Sequence, residues 1–332
     1  FPIADHFRAR LRPGWALLAG LTAGLAGYGF HSMRIHMPLM LAGLLLVSPS
    51  GLQAMWRARS GRAALIGLTV GFLVAFGPLA FVSATDPVML KRWEMTRLWK
   101  PGDGLATIIA LVAQRYLEHF GPGFLFMHGD GFGPFRPLGQ GEVGWYLLPG
   151  LIAGAGMGLF AARRSRSVRT LLLLVLLYPV GDLVSRNDGP HLLRSASGVG
   201  ALILLAAWGI AEALRQLHQW SARPAWAVAT VLGLAAIGQE SHYAVRYFRD
   251  FPKVWGNQID YQPALLDAAR WLRPRLPATD AVFCTTTGMN APFVVMLVGL
   301  EYDPAQWFQD PKDVRPAEFD RYERFGKVFF NY

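Results

Sequence analysis

The sequence predicts an α-helical polytopic membrane protein with about seven transmembrane helices, followed by a small α/β domain outside the membrane. Of its 332 residues, 53% are apolar and only 16% are charged, which is a low charged fraction for a soluble protein. Seven apolar segments approach the roughly 20 residues that a helix needs to cross a bilayer core about 30 Å thick. One such segment could be a buried core helix, but seven would leave too little polar surface for a soluble fold.

All the apolar segments precede residue 239, where the composition becomes that of a soluble domain. We therefore predict a transmembrane domain at residues 1–238 and an extracytoplasmic α/β domain at residues 239–332. The predicted spans are residues 15–30, 37–52, 63–83, 143–161, 170–184, 195–214 and 224–237. They leave one long loop, residues 84–142, on a single side of the membrane.

The net charge of +10 is concentrated in the transmembrane domain, and twelve arginines there form four clusters. The clusters are Arg8, Arg10 and Arg12; Arg57, Arg59 and Arg62; Arg163, Arg164, Arg166 and Arg169; and Arg215 and Arg223. With the predicted spans, all four lie on one side, which the positive-inside rule makes cytoplasmic. The amino end is then cytoplasmic, and loop 84–142 and the α/β domain lie outside. A nucleic-acid surface would need one contiguous basic patch, so nucleic acid is excluded as a partner.

The first two spans are joined by a tight turn that carries Arg34. Gly20, Gly24 and Gly27 in the first span are small residues that allow close helix packing in lipid. Pro38 opens the second span, so Arg34 lies at the outer rim of the membrane. Arg34 either binds a partner there or extends its side chain to the lipid headgroups.

The long outer loop contains two features. Residues 105–120 are apolar at one end and polar at the other, which favours an interfacial helix on the outer leaflet. Residues 121–144 contain eight glycines. Backbone this irregular cannot face lipid, so we expect it to be buried in protein or to line a wet cavity.

The last outer loop and the α/β domain complete the chain. His191 and Arg194 follow Pro190, a favourable first helical residue, and their spacing of three places them on one helix face. Helical and strand-like segments alternate after residue 239, which predicts the α/β fold. Cys284 is the only cysteine, so an intrachain disulfide and a cysteine metal cluster are excluded.

The chain starts without methionine and stops in a strand-like run. We therefore expect it to be a fragment whose α/β domain is truncated.

The candidate substrate-binding residues are cationic and hydrogen-bonding groups of the outer face: Arg34, Arg92, His128, Asp130, Arg136, His191 and Arg194. Arginine binds phosphate through a planar fork of donors, so such a cluster near the headgroups suits a phosphorylated lipid. The alternative is that these groups bind ordinary phospholipid or pair with nearby acids such as Asp86, Glu94 and Asp188. No HExxH or CxxC motif occurs, and no cofactor is predicted. His119, His128 and Asp130 leave a divalent metal as a minor alternative.

Four stretches resemble, in order, bacterial polyprenyl-phosphate-dependent glycosyltransferases of the protein O-mannosyltransferase and aminoarabinose transferase superfamily, which have the GT-C fold. The stretches are GLTAGLAGYGFHSMRIHMPLML, TDPVMLKRWEM, YLEHFGPGFLFMHGD with Arg136 and GQGEVGWYLLP, and GPHLLRS. The resemblance covers about residues 15–257.

The resemblance implies a multi-pass glycosyltransferase of the bacterial inner membrane, with its α/β domain in the periplasm. It would move a sugar from a polyprenyl-phosphate carrier to a lipid or protein acceptor. His191, Arg194 and Arg34 would hold the carrier phosphate, while His128, Asp130 and Arg136 would shape the sugar or acceptor cavity. The family's catalytic carboxylate follows a first span that this chain lacks, so the catalytic residue stays unassigned.

Two other functions compete with this prediction. A transporter or flippase of lipid-linked sugars is the first, but the ionisable residues cluster on one face rather than near the midplane that transporters use. A non-catalytic membrane anchor is the second, although an anchor has no need of a polar loop of this length.

Overall fold

The computed structural model describes residues 13–130, 140–186, 189–253, 261–287, 289, 291–315 and 321–331. Arg136 and Asp188 therefore lie outside the described residues. The structure is mainly helical and contains one small sheet near the carboxyl end. Its internal contacts divide the chain into two units, one ending at Ser241 and the other beginning at His242.

The first unit is built from helices and contains no described strand. Its helices are α1 Pro13–Ala26, α2 Met33–Leu46, α3 Pro49–Arg57, α4 Arg59–Thr85, α5 Pro87–Thr96, α6 Leu105–Glu118, α7 Leu148–Ala161, α8 Arg166–Leu177, α9 Leu192–Trp220 and α10 Ala222–Val245, which ends just beyond the unit. A π-helical turn at Gly123–Met127 and 3-10 turns at Trp145–Leu147 and Tyr178–Gly181 lie between them.

Among the residues that the structure describes, two helices, α4 with 27 residues and α9 with 29, are long and apolar enough to cross a membrane. Helices α2 and α3 would form a third span if this pair, bent by 81°, counts as one crossing. The structure thus supports a membrane protein, but it does not confirm seven spans. Helix α1 has 14 residues, about 21 Å at 1.5 Å per residue, and α8 ends at Leu177 within the predicted span 170–184.

Small residues bring the helices into close contact, as the glycines of the first predicted span suggest. A Cβ atom on Gly20 of α1 would lie 2.1 Å from the carbonyl oxygen of Leu68 on α4. On α9, a Cβ atom at Gly209 would lie 2.1 Å from the carbonyl oxygen of Gly150 on α7. Both helix pairs therefore need glycine for backbone approach, as is common for helices that pack in lipid.

The antiparallel packing of α2 against α8 defines two ends of this unit. At one end, a Cβ atom on Gly181 would lie 2.3 Å from the carbonyl oxygen of Arg194 and 2.8 Å from the Cβ atom of Ser32. We call this the site end. At the other end, Nε of Arg169 donates to the carbonyl oxygen of Val47 at 3.1 Å. We call this the arginine end, since α3 ends there and α4 and α8 begin there, each with an arginine.

The start of α5 shows how the sequence turns the chain at the site end. The carboxylate of Asp86 accepts hydrogen bonds from the backbone nitrogens of Val88 at 2.8 Å and Met89 at 3.0 Å. Pro87 occupies the first helical position. An aspartate cap followed by proline is a strong helix start, so α4 ends at Thr85 and α5 leaves in a new direction.

The second unit contains α11 Pro263–Leu272, α12 Pro292–Leu300, α13 Pro304–Gln309, β1 Val282–Thr285, β2 Lys312–Arg315, β3 Arg321–Phe325 and β4 Val328–Asn331. The strand order is β1-β4-β3-β2. Strand β1 pairs in parallel with β4, and the other pairs are antiparallel. Its core contains Ala269, Met296, Phe325 and Val328. The sheet and helices agree with the predicted α/β domain, and Cys284 is a free cysteine in β1.

Candidate functional site

A fully buried carboxylate, Asp182, gathers four basic residues at the site end. Its Oδ1 atom lies 3.6 Å from Nη1 of Arg194. Its Oδ2 atom lies 3.8 Å from Nη1 of Arg115 and 3.4 Å from Nε2 of His119, and accepts a hydrogen bond of 2.9 Å from the backbone nitrogen of His191. We call these five residues the Asp182 cluster. A buried acid is favourable only when it is paired and hydrogen-bonded in this way.

Helix α6 supplies two of the basic groups because Arg115 and His119 are four residues apart and share one face. Arg115 is the buried residue of that helix. His119 is also fully buried, and its Nδ1 atom lies 2.8 Å from the carbonyl oxygen of Arg115. The predicted interfacial helix therefore turns a charged face towards the protein, while apolar residues such as Leu105 and Ile109 are exposed.

The first turn of α9 is held by carboxylates from other parts of the chain. Oδ2 of Asp130 accepts a hydrogen bond of 2.7 Å from the backbone nitrogen of Leu192 and lies 3.1 Å from Nδ1 of His191. Together with Asp182, it satisfies amide groups that a helix N-terminus leaves unpaired. Burial lowers the pKa of His191 most, with a further decrease from Arg194, and these effects outweigh the rise caused by Asp130 and Asp182.

A third buried carboxyl group, Glu142, lies beside the Asp182 cluster. It accepts hydrogen bonds from the hydroxyl group of Tyr178 and, at 3.2 Å, from Oγ of Ser195. Burial raises its pKa to about 8, and the charges of Asp130 and Asp182 add to this rise, although the two hydrogen bonds oppose it. At neutral pH, Glu142 is therefore mainly protonated.

Three arginines at the site end lie close enough to His31 for their charges to act on it. Burial lowers the pKa of His31 most, and the charges of Arg92, Arg34 and Arg194 lower it further. Nη1 of Arg34 donates to Oγ of Ser83 at 3.3 Å. Its Nε atom is buried and has no hydrogen-bond partner among the described residues. Arg34 therefore keeps one buried donor that no described neighbour bonds.

The predicted site residues fall into three groups. Arg34, Arg92 and Arg194 lie together around His31, and His191 and Asp130 contact each other. The side chain of His128 is exposed and makes no ion pair in the described part of the chain, and Arg136 lies outside the described residues. Asp130 is 3% exposed, so its carboxylate is buried against His191 and is not open to a ligand.

Several residues of this site were not among the predicted binding residues: Arg115, His119, Glu142, Tyr178, Asp182 and Ser195. Asp182 had one usable signal, because an acid inside an apolar stretch indicates a functional or paired group. Glu142 had a similar signal, since it directly precedes an apolar helix. No group of three or more His, Cys, Asp or Glu side chains suited to a metal ion occurs among the residues that the structure describes.

The chain matches no protein-family model, no curated protein and no solved structure at a significant level.

Proposed function

We propose that this protein is a membrane glycosyltransferase that takes a sugar from a polyprenyl-phosphate carrier and transfers it to a lipid or protein acceptor. The observation that carries the proposal is the grouping of three arginines near His31 at the site end. The charges of Arg34, Arg92 and Arg194 all act on His31, and Nε of Arg34 is buried without a hydrogen-bond partner in the described structure. This is the arrangement expected for an anion-binding site at the end of membrane-spanning helices.

Two of these arginines are open to an anionic ligand such as a phosphate. Arg34 and Arg92 form no ion pair with any acid of the described residues, whereas Arg194 is held by Asp182. Guanidinium groups bind phosphate oxygens in a bidentate manner. Because the site is partly buried, such contacts are stronger than they would be in water. A lipid-linked phosphate would reach the site from the bilayer around α4 and α9.

The same arginines support transfer chemistry and not only binding. When the bond between the sugar and the carrier phosphate breaks, negative charge develops on that phosphate. Fixed cationic groups stabilise this charge without having to reorganise, and the Asp182 cluster supplies this rigidity by holding Arg194. The carrier phosphate is thus both the group that the arginines bind and the leaving group of the transfer.

The base that activates the acceptor is not assigned to a described residue. It must lie within hydrogen-bond reach of the acceptor proton. Asp130 and Asp182 are engaged with the first turn of α9, and Glu142, with its pKa of about 8, is mainly protonated at neutral pH. The proposal therefore assigns phosphate binding to this chain and leaves the base open, as the family resemblance also implies.

The binding test uses the protein in lipid nanodiscs with undecaprenyl phosphate as the probe. The variant Arg34→Gln should weaken binding by about tenfold or more, because a charge-assisted contact contributes about 1.5–3 kcal/mol. Arg163→Gln, at the arginine end, serves as the matched control and should bind like the natural protein. Equal affinities for both variants would contradict the proposed site.

Transfer and transport are distinguished by a second measurement. The protein is incubated with a polyprenyl-phosphate-linked sugar and candidate acceptors, and the lipid product is analysed by mass spectrometry. A transferase produces free carrier phosphate. Movement of intact donor across sealed vesicles, without release of the carrier phosphate, would instead support a flippase.

A further inference from the structure

An apolar groove lies at the break between α2 and α3, at the arginine end and thus away from the proposed sugar site. The two helices meet at an angle of 81°. The groove has a volume of about 820 Å³, within the range of small-molecule sites. The residues that line it include Leu46, Ser50, Leu52, Gln53, Trp56 and Leu65. Most of this lining is hydrocarbon, so the groove suits an apolar chain.

Helix α3, which forms one wall, has the character of a helix that lies in a membrane interface. It carries Leu52, Met55 and Trp56 together with polar residues and Arg57 at its end. Trp56 is 61% exposed although it lines the groove. Tryptophan is enriched at the level of lipid headgroups, so the groove opens where the chain would meet phospholipid.

A cationic group lies beside the groove. A Cβ atom on Gly51, between two lining residues, would be 3.7 Å from Nη1 of Arg166. Arg166 is exposed, and it has no ion-pair partner in the described parts of the chain. Arg169, one turn further along α8, donates instead to the carbonyl oxygens of Val47 and Ala162. Arg166 is therefore available to a ligand, whereas Arg169 is not.

The helices around the groove supply no acid to compensate this charge. Neither residues 37–85 nor residues 143–181 contain an aspartate or glutamate. Arg57, Arg59 and Arg62 add further positive charge near the start of α4. An apolar groove that opens beside unpaired arginines is complementary to a ligand with an acyl chain and an anionic headgroup.

We propose that this groove binds an anionic phospholipid of the surrounding bilayer, with an acyl chain along Leu52, Trp56 and Leu65 and its headgroup phosphate at Arg166. The assignment does not depend on the proposed sugar transfer, because it involves the opposite end of the unit. It makes the lipid a bound component of the structure rather than bulk solvent.

The test measures tryptophan quenching by brominated lipids in vesicles that contain the protein. Dibromo-phosphatidylglycerol and dibromo-phosphatidylcholine are compared, and the Trp56→Phe variant identifies the part of the signal that comes from the groove. That part should be quenched more strongly by the anionic lipid. Arg166→Gln should reduce this preference about fivefold, the effect of one arginine at an anionic surface.

Two controls complete the test. Arg223→Gln removes an exposed arginine of α10, which does not line the groove, and should preserve the preference. Ser50→Phe fills the groove and should reduce quenching by both lipids. Equal quenching by the two lipids in the natural protein, or an unchanged preference in Arg166→Gln, would overturn the proposal. Displacement of the lipid by soluble glycerol phosphate alone would also overturn it, because the acyl chain would then contribute nothing.

Discussion

The two ends of the helical unit both contain several arginines, but the partners of these arginines differ. At the site end, Arg115 and Arg194 contact the buried carboxylate of Asp182. At the arginine end, Arg169 donates to backbone carbonyls and Arg166 is exposed, with no acid in the surrounding helices. Buried charge demands fixed partners, whereas exposed charge tolerates many. Arginine content is therefore similar at the two ends. The position of the acids is what distinguishes them.

Replacing Asp182 should have the largest effect, because it breaks the defining feature of the site end. Asp182→Asn removes the buried negative charge that Arg115, His119 and Arg194 share, a loss of about 3–5 kcal/mol. The Tm in detergent should then fall by on the order of 10 °C. Glu212→Gln removes the partner of Arg215, whose side chain is exposed, and should leave the Tm unchanged. Similar values for both variants would mean that the cluster contributes no more than a surface pair.

The second prediction concerns the pH dependence of stability that Glu142 confers on the site end. Its pKa is raised from 4.5 to about 8 in the folded chain, so the native state holds a proton that the unfolded state releases. Stability should therefore fall as the pH rises from about 4.5 to about 8 and level off above that.

Thermal melts in detergent across this range check the prediction. The Tm of the natural protein should fall by on the order of 5–10 °C. Glu142→Gln should remove most of the slope, because its neutral amide cannot titrate. A slope that persists in this variant would assign the dependence to another group.

A smaller effect is expected when the arginine end is changed. Arg169→Gln removes hydrogen bonds to the carbonyl oxygens of Val47 and Ala162, which contribute about 1–2 kcal/mol in total. The Tm should fall by about 2–5 °C. Arg163, which is exposed, provides the matched control, and Arg163→Gln should melt like the natural protein. If Arg169→Gln lowered the Tm as much as Asp182→Asn, the contrast between the two ends would be lost.

The sequence predicted the helical membrane class and the small α/β domain, because both follow from local composition. The long apolar runs of α4 and α9 meet the length that a bilayer demands. The sequence also predicted that Arg34, Arg92 and Arg194 share one face of the membrane, and in the structure all three act on His31. The length of an apolar helix can be read from a short window of the sequence, and the side on which a loop lies can be predicted by counting the crossings before it.

Other features depend on contacts between distant residues and could not be predicted in this way. The segment 37–52 is apolar throughout, yet the chain bends by 81° near Pro49, so hydropathy alone gives one span where the structure has two helices. The pairing of Asp182 with Arg115 joins residues 67 positions apart. Burial of Glu142 depends on Tyr178 and Ser195 from two later segments.

The bond between Arg169 and Val47 also bears on the order in which this protein is assembled. The guanidinium donor lies 122 residues after the carbonyl oxygen that accepts its hydrogen bond. The ribosome therefore makes helix α2 long before it makes Arg169. During synthesis, that carbonyl cannot accept this hydrogen bond until α8 has been made. The bend between α2 and α3 therefore gains this hydrogen bond only after α8 has been synthesised.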